Sequence, residues 1–336
     1  MATIADILPR HMHRFWTRVG ALASAIALMS LHALPAMAET ILRIGHFPNI
    51  THVQALVAHN FARQGKGWFE QRLGADVKIE WYIYNAGPSA MEAMFAKSID
   101  VSYVGPSPAI NAYAKSGGRE IRIIAGSVNG GSALVIPRDS TLKTPADFRG
   151  KKIATPQFGN TQDVAARAWL IAGGLTIRQT GGDAQVVPTS NPDQLSLFTQ
   201  KQIDAVWAVE PWISRLEREA GGKILVEDRD AITTVLVSRT DFLSSQRPLL
   251  KKLVAAHQEL TEWIKTNPDD AQRMAREELD AELRARFAPE LVASAWKRVV
   301  LTSDVSLDAL RMFVSSARSV GFLRDAPDIS GLVEAP

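Results

Sequence analysis

Short β-rich runs alternate with helix-like segments from residue 40 onward, and this alternation constrains the fold more than any other feature of the chain. TILRIGHF (40–47) precedes THVQALVAHNFARQG, VKIEWYIY (77–84) precedes SAMEAMFAK, and DVSYVG (100–105) precedes PAINAYAK. This order is typical of βαβ units and of a mainly parallel sheet. The sequence therefore predicts an α/β fold.

A second α/β stretch repeats the first. PSAMEAMFAKSIDVSYVGP (88–106) aligns with PDQLSLFTQKQIDAVWAVEP (192–211) when one residue is inserted, so that Tyr103 matches Trp207. This repeat predicts two similar lobes, with residues 39–128 as the first part of lobe 1 and 129–236 as lobe 2. Residues 237–336 are expected to return to lobe 1 and to end in charged C-terminal helices. Because open α/β sheets bind ligands beyond the carboxyl ends of their strands, two such lobes would face each other across a cleft.

The first 38 residues are typical of a secretory signal peptide. Three arginines and a single acid precede an apolar run, which ends in the cleavage-site pattern Ala36-Met37-Ala38. The sequence therefore predicts a signal peptide over residues 1–38 and a mature chain that starts at Glu39. A retained membrane anchor is the alternative, although the apolar run is short for a bilayer span and is interrupted by a histidine and a proline.

Charge and cysteine content narrow the class of the mature protein. Residues 1–38 carry three bases and one acid, so their removal lowers the formal charge from +3 to +1. A nearly neutral surface gives no electrostatic footprint for nucleic acid or for an anionic membrane. The chain has no cysteine, so an exported form has no disulfides and depends on its core. We expect a periplasmic monomer without a nucleic-acid partner.

The tripeptide Gly-Pro-Ser occurs twice, at 87–89 and 105–107, each time before a predicted helix. Ser89 and Glu92 form the Ser-x-x-Glu pattern of a capping box, and Ser107 precedes Pro108 at a position that favours proline. Both serines are therefore predicted to be N-caps. Further helix starts are predicted at Thr51, Asn160-Thr161 and Asn191-Pro192.

These helix starts follow strands of the predicted sheets, at the edge where such sheets bind ligands. The first turn of a helix offers unpaired N–H groups and a partial positive charge, which together favour an oxyanion. The alternative is that each is an ordinary helix start, whose cap contributes about 1 kcal/mol to stability. Taken together, the helix starts predict one anion pocket with the two Gly-Pro-Ser turns as adjacent walls.

Several long motifs resemble those of a known family. IGHFPNITHVQAL, NAGPSAMEAMFAKSIDVSYVGPSPAIN, IATPQFGNTQDVAARAWL, NPDQLSLF and VEPWISRL are similar to motifs of the periplasmic substrate-binding proteins of ABC importers. The group is the nitrate, sulfonate, taurine and bicarbonate binders, and the motifs are most similar to those of aliphatic-sulfonate-binding proteins. The resemblance spans roughly residues 40–325. It implies a type II periplasmic-binding-protein fold, whose two lobes close on a ligand and deliver it to a membrane permease.

The resemblance also implies which residues bind the ligand. In the family, loops face the ligand at the positions of Phe47, Asn49, Gly87, Pro88, Ser89, Gly105, Ser107, Gly159, Asn160 and Thr161. The equivalents of Ser132 and Glu210 lie near the ligand. His46 and Trp212 are further candidates. The expected ligand is a small anion or zwitterion, with an alkyl sulfonate favoured over nitrate, bicarbonate, phosphonate or another small organic molecule.

Glu210 and the aromatic residues leave alternatives open. A carboxylate repels an anion, so Glu210 either binds a ligand amine such as that of taurine, pairs with a cation or donor across the hinge, or caps a helix or faces solvent. Phe47, Phe158 and Trp212 either wall an organic tail of the ligand or serve in ordinary packing.

Metal binding and catalysis are the rival classes. His52 and His59 lie seven residues apart on one predicted helix with no adjacent cysteine or acid, which is poor spacing for metal ligands. We expect no metal and no cofactor, and we expect His46 to be a hydrogen-bond donor or wall residue of the pocket. The chain has no Gly-x-Ser-x-Gly elbow and no glycine-rich nucleotide motif, so we expect a binding protein and not an enzyme. The fold by itself does not exclude an enzyme.

Overall fold

The computed structural model describes residues 39–179 and 181–336. The predicted signal peptide lies outside the described residues. Within them, none of the helices combines the length and the hydropathy that crossing a bilayer requires.

The strands form two sheets. A six-stranded sheet has the order β11-β4-β10-β3-β1-β2, and a five-stranded sheet has the order β7-β6-β8-β5-β9. The strands of the first sheet are β1 Thr40–His46, β2 Val77–Ile83, β3 Val101–Val104, β4 Ile121–Gly130, β10 Ile232–Arg239 and β11 Val299–Leu301. The strands of the second sheet are β5 Ser132–Pro137, β6 Lys152–Thr155, β7 Gln185–Pro188, β8 Ala205–Val209 and β9 Gly222–Glu227.

Helices cover both sheets. The two α/β stretches contain α1 Val53–Arg63, α2 Trp68–Leu73, α3 Gly87–Phe95, α4 Pro106–Lys115, α5 Thr161–Ala172, α6 Asn191–Thr199 and α7 Trp212–Glu219, of which α2 follows α1 directly and was not predicted. The C-terminal region adds α8 Thr240–Ser245, α9 Arg247–Thr266, α10 Pro268–Leu283, α11 Pro289–Trp296 and α12 Leu307–Ser319. Short 3-10 turns occur at Ile50–His52 and Pro145–Phe148.

The α/β class is confirmed, but the sheets are mixed and not mainly parallel. β1 runs parallel to β3, and β6 runs parallel to both β7 and β8. In contrast, β10 is antiparallel to β3 and β4, and β5 is antiparallel to β8 and β9. The chain leaves the first sheet at the end of β4, passes through the whole second sheet, and returns to the first sheet along β10, which lies next to β4. Adjacent strands that leave and return in this way run in opposite directions.

The chain passes between the sheets at two places, Gly131 and residues 228–231. Gly131 has a φ of +68°, and a Cβ there would lie 2.8 Å from Val299 and 2.9 Å from Thr51. Both the backbone conformation and the close approach of these side chains therefore require glycine. The lobe boundaries at 128/129 and 236/237 stay predictions. In the structure the chain moves from the first sheet to the second at Gly131 and back at residues 228–231.

The C-terminal region contacts both sheets. Strand β11 pairs with β4 and was not predicted, because three residues are too few to show an alternating pattern. Helix α12 packs against α4 beside the first sheet and against α5 beside the second. Tyr103 and Val104 belong to separate core clusters on the two faces of the first sheet, which makes this sheet a rigid base for the loops at its strand ends.

Candidate ligand-binding site

Both Gly-Pro-Ser turns begin a helix, but earlier than the sequence predicts. Helix α3 begins with Gly87 and α4 begins with Pro106, so Ser89 and Ser107 are the third and second helical residues. The two N-cap predictions are therefore wrong, because the proline of each tripeptide takes an early helical position. Helix α3 has no side-chain cap within the described chain, so its first N–H groups stay available to a ligand. Helix α4 offers none in its first turn, because Pro106 and Pro108 have no N–H and the Ser107 N–H donates to Thr161 Oγ1 over 3.4 Å.

The other predicted helix starts have mixed outcomes. Asn160 is the N-cap of α5 and accepts a 2.8 Å hydrogen bond from the backbone N–H of Asp163, as predicted. Asn191 is the first residue of α6 and not its cap, which is Ser190. Thr51 lies inside a 3-10 turn and caps no helix.

The beginnings of four helices meet at one small cavity between the elements of the two sheets. The cavity holds about 20 Å³, which is room for one or two water-sized groups. Six of the predicted ligand-binding residues line it: Phe47, Asn49, Gly87, Gly105, Asn160 and Thr161. Gly87, Gly105, Thr161 and Asn191 bring the first turns of α3, α4, α5 and α6 to its wall.

The structure places the other predicted residues elsewhere. Pro88 and Gly159 line a separate surface cavity. Ser89 donates a 3.1 Å hydrogen bond to the side chain of Gln157. Ser107 is buried and does not line the small cavity, but its N–H donates to Thr161, which does. Ser132 lines a larger cavity next to it. These positions follow from the earlier helix starts, which rotate each serine away from the position expected of a cap.

Glu210 is fully buried and pairs with Arg298. Arg298 Nη1 donates a 2.9 Å hydrogen bond to Glu210 Oε1, and Ser214 donates to both carboxylate oxygens. Burial raises the pKa of Glu210 to about 7, although the charge of Arg298 opposes this rise. Of the three interpretations open from the sequence, the contacts support pairing with a cation. Arg298 directly precedes β11 of the first sheet, whereas Glu210 follows β8 of the second.

Trp212 and His46 lie outside the lining of the small cavity. Trp212 Nε1 donates a 3.0 Å hydrogen bond to Asn49 Oδ1, which fixes the amide of a lining residue. His46 is fully buried, and its Nε2 lies 2.7 Å from Glu282 Oε1. Neither side chain lines the cavity, so neither is placed to touch a ligand there.

His52 lines the cavity, although the sequence analysis considered it only as a metal ligand. The backbone N–H of Phe47 donates to His52 Nδ1 over 3.4 Å. Burial, together with the neighbouring His46, lowers the pKa of His52 well below its ordinary value. His52 is therefore neutral near pH 7, with its hydrogen on Nε2, and this N–H is a donor for the cavity. The sequence feature that could have identified His52 as a cavity residue is its position in the segment that follows β1.

The lining of the small cavity is polar but carries no formal charge in the described part of the chain. Five further polar residues line it beside those predicted: Thr51, Asn85, Gln162, Asn191 and Thr233. Asn191 Oδ1 is buried and has no hydrogen-bond partner among the described residues. The cavity thus offers amides, hydroxyls, one imidazole and the positive ends of helices, which suit an oxyanion without a lysine or arginine.

A larger cavity of about 400 Å³ adjoins the small one. The two share Thr161, Gln162 and Thr233. Its walls include the apolar side chains of Trp207 and Phe313, and it lies between α5 and α12. The small cavity is lined mainly by polar groups, and the larger cavity next to it is mainly apolar.

We expect Thr161→Val to lower ligand affinity by roughly ten- to a hundredfold. Thr161 lines both cavities, and valine keeps its shape but removes the hydroxyl. A hydrogen bond to a charged group contributes about 1.5–3 kcal/mol. Thr199→Val is the matched control, because Thr199 is exposed at the far end of α6 and donates to a backbone carbonyl. Calorimetric titration of both variants checks this, and an unchanged affinity of Thr161→Val would contradict the placement of the ligand.

Residues 36–277 match the model of the NMT1-like family, which is more than half of the chain. The chain belongs to the NMT1-like family. This NMT1-like chain is 26% identical over 260 residues to a Brucella abortus protein named as a binding protein, with 74% of this chain and 75% of that protein covered. It is 27% identical over 213 residues to a Bacillus subtilis protein named as an aliphatic-sulfonates-binding protein, with 61% and 62% covered.

Solved structures share the fold of this NMT1-like protein. The alkanesulfonate-binding protein of Xanthomonas axonopodis pv. citri bound to MOPS superposes with a TM-score of 0.73 at 20% identity, covering 88% of this chain and 99% of that structure. The periplasmic nitrate-binding protein of Synechocystis PCC 6803 superposes with a TM-score of 0.65 at 15% identity, covering 86% and 83%. The resemblance stated from the motifs and the periplasmic-binding-protein fold are therefore confirmed.

Proposed function

We propose that this protein is the solute-binding subunit of an ABC importer and that it captures a small organic oxyanion, with an alkyl sulfonate favoured. The observation that carries the proposal is the junction of a polar cavity, formed by four helix starts, with an apolar cavity of about 400 Å³. The relatives named as binding proteins support a binding protein and not an enzyme.

The polar cavity is proposed to hold the charged head of the ligand. Its donors are the first N–H groups of α3, α5 and α6, the hydroxyl of Thr161 and the Nε2–H of His52. In an enclosed site of low dielectric constant, such neutral donors bind a charge more strongly than they do in water. The volume of about 20 Å³ holds one or two water-sized groups, so the cavity must widen, by movement of its walls, to take a head group with three oxygens.

The apolar cavity is proposed to hold the organic tail. Nitrate and bicarbonate have no tail that would fill it, so an alkyl sulfonate or phosphonate fits better. Asp228 and Asp230 lie among its lining residues and are exposed. They are placed to attract an amine at the far end of a zwitterion, which is the role that the sequence left open for Glu210.

Capture is proposed to occur by movement of the two sheets about Gly131 and residues 228–231. The polar cavity lies between elements of both sheets, so separation of the sheets opens it and a ligand favours closure. The closed form would then deliver the ligand to a membrane permease. Export through the signal peptide predicted over residues 1–38 would place the protein in the periplasm.

An uncharged organic solute is the second candidate. It is favoured by the neutral lining of the polar cavity, because anion sites commonly include a lysine or arginine and none lines this cavity in the described chain. The asparagine, glutamine and threonine side chains of this lining would bind a polar heteroatom equally well.

A thermal-shift panel tests the proposal. Alkyl sulfonates, alkyl phosphonates, nitrate, bicarbonate and uncharged alcohols of matched length are added to the purified protein. A ligand that binds only the folded state raises the free energy of unfolding by RT ln(1 + [L]/Kd). We expect the largest shift from a sulfonate. Shifts from the alcohols alone would favour the second candidate, and shifts from nitrate or bicarbonate alone would contradict an organic ligand.

A further inference from the structure

A second cluster of polar side chains is buried away from the ligand site. His46 lies at the end of β1, His59 lies in α1 and Glu282 lies near the end of α10. One ligand atom from each, namely His46 Nε2, His59 Nδ1 and a Glu282 oxygen, lies within 4.8 Å of the other two. Glu282 Oε1 is 2.7 Å from His46 Nε2 and 3.0 Å from His59 Nδ1.

The cluster has polar atoms that the protein leaves unsatisfied. Glu282 Oε2 and His46 Nδ1 are buried and have no hydrogen-bond partner in the described part of the chain. The side chains of His46 and Glu282 are both 0% exposed. A buried carboxylate oxygen without a partner is costly, so the arrangement favours a cation beside Glu282.

We propose that His46, His59 and Glu282 bind a divalent transition-metal ion of the zinc class. Two imidazole nitrogens and one carboxylate are a common donor set for zinc, with bonds of about 2.0–2.2 Å. This mixed set suits zinc, cobalt or nickel better than calcium or magnesium, which prefer oxygen ligands alone. Around a tetrahedral ion the donor atoms lie about 3.4 Å apart, so the side chains need to separate by roughly half an ångström.

The surroundings of the cluster fit a metal site. Glu278 Oε1 lies 2.8 Å from His59 Nδ1, within reach as a further ligand, and Arg63 Nε donates to it over 2.7 Å. Trp81 stacks on His59 at 5.0 Å between ring centroids and meets His46 edge-on at 5.5 Å. These ring contacts hold both imidazoles in place. His59 is 13% exposed, which leaves an entry path on its side.

From the sequence we expected no metal, because no acid lies next to the histidines in the chain. The structure supplies such an acid. The histidines lack an adjacent acid in the sequence, but Glu282 reaches His46 across 236 positions of the chain. The alternative to a metal ion is a proton shared between an imidazole and Glu282. Uptake of a metal ion by the protein distinguishes these two alternatives.

Metal titration of the exported protein, purified without a polyhistidine tag and stripped with a chelator, tests the proposal. We expect calorimetry with zinc chloride to give one ion per chain. Cobalt(II) should give the visible absorption of a four-coordinate site, and zinc should displace it. Neither signal depends on a bound organic ligand, so the outcome is independent of the function proposed above. Absence of stoichiometric zinc binding would overturn the proposal in favour of the shared proton.

Substitutions locate the site. Glu282→Gln and His59→Gln should each weaken zinc binding tenfold or more, and His59→Gln decides if the more buried Glu282→Gln does not fold. His257→Gln is the control, because His257 is also fully buried but bonds to Tyr103 and to the backbone of Gly126. Zinc affinity that is unchanged in His59→Gln would overturn the assignment of these ligands.

Discussion

Arg298→Met should lower the free energy of unfolding by about 3–5 kcal/mol near pH 8, the usual cost of leaving a buried charge without its partner. Arg298 donates to Glu210 over 2.9 Å and to Glu217 over 2.7 Å. Glu210 is 0% exposed, so water cannot replace the lost guanidinium. The ion pair also joins the segment before β11 to the end of β8, so its loss should loosen the contact between the two sheets.

The effect should depend on pH in a direction set by Glu210. Burial raises the pKa of this carboxyl from 4.5 to about 7 against the opposing charge of Arg298. Between these two values the folded state binds more protons than the unfolded state, so this contribution to stability is complete below pH 4.5 and is lost as the pH rises through 7. Removal of Arg298 raises the pKa further. Urea unfolding should therefore show a small deficit for Arg298→Met at pH 5 and a large one at pH 8.

Two further variants complete this test. Arg273→Met is the control, because Arg273 is half exposed and pairs with Asp270 and Glu277 at the surface, where such pairs contribute less than about 1 kcal/mol. Arg298→Met combined with Glu210→Gln should recover much of the lost stability at pH 8. Equal deficits of Arg298→Met at both pH values would contradict a buried, titrating Glu210.

Gly105→Ala should lower ligand affinity by roughly a hundredfold or more, which corresponds to about 2.7 kcal/mol. A Cβ at this position would lie 2.3 Å from Thr161 Oγ1 and 3.3 Å from Thr161 Cβ. Gly105 precedes α4 beside the first sheet, and Thr161 begins α5 beside the second. The backbone of Gly105 has a φ of −69°, which any residue adopts, so the added methyl acts on the contact between the lobes and not on the local chain.

Calorimetric titration with the best ligand of the panel measures this loss, and urea unfolding of the same variant separates it from misfolding. Gly331→Ala is the matched control, because a Cβ there meets only the hydroxyl of Tyr113 at 3.1 Å, and neither residue lines the two cavities. We expect its affinity to equal that of the wild type. A Gly105→Ala variant with wild-type affinity would mean that ligand binding does not need the close approach of α4 and α5.

Local patterns in the sequence were enough to predict the fold class and many of the residues that line the small cavity. The alternation of strands and helices, and the polar residues that follow strand ends, placed Asn49, Gly105 and Thr161 at one edge of each sheet. Asn160 was recognised as a cap because its side chain acts on a backbone group three residues away. The start of α4 was misplaced by two positions, since proline and serine both mark helix starts and only the structure decides between Gly105 and Ser107 as the cap.

Contacts between distant parts of the chain were beyond such reasoning. Glu210 meets Arg298 across 88 positions, and His46 meets Glu282 across 236. No local spacing encodes either pair, because each depends on how the C-terminal helices return to the first sheet. The apolar cavity was missed for the same reason, since Phe313 of α12 closes it over Trp207 of β8.

A calorimetric series with unbranched alkyl sulfonates, from methanesulfonate to hexanesulfonate, tests the central claim most directly. Each methylene that enters the apolar cavity contributes about 0.8 kcal/mol. Affinity should therefore rise roughly fourfold for each added carbon until the cavity of about 400 Å³ is filled or its end is reached. Equal affinities along the series, or no binding by any member, would contradict a polar head site that opens into an apolar tail site.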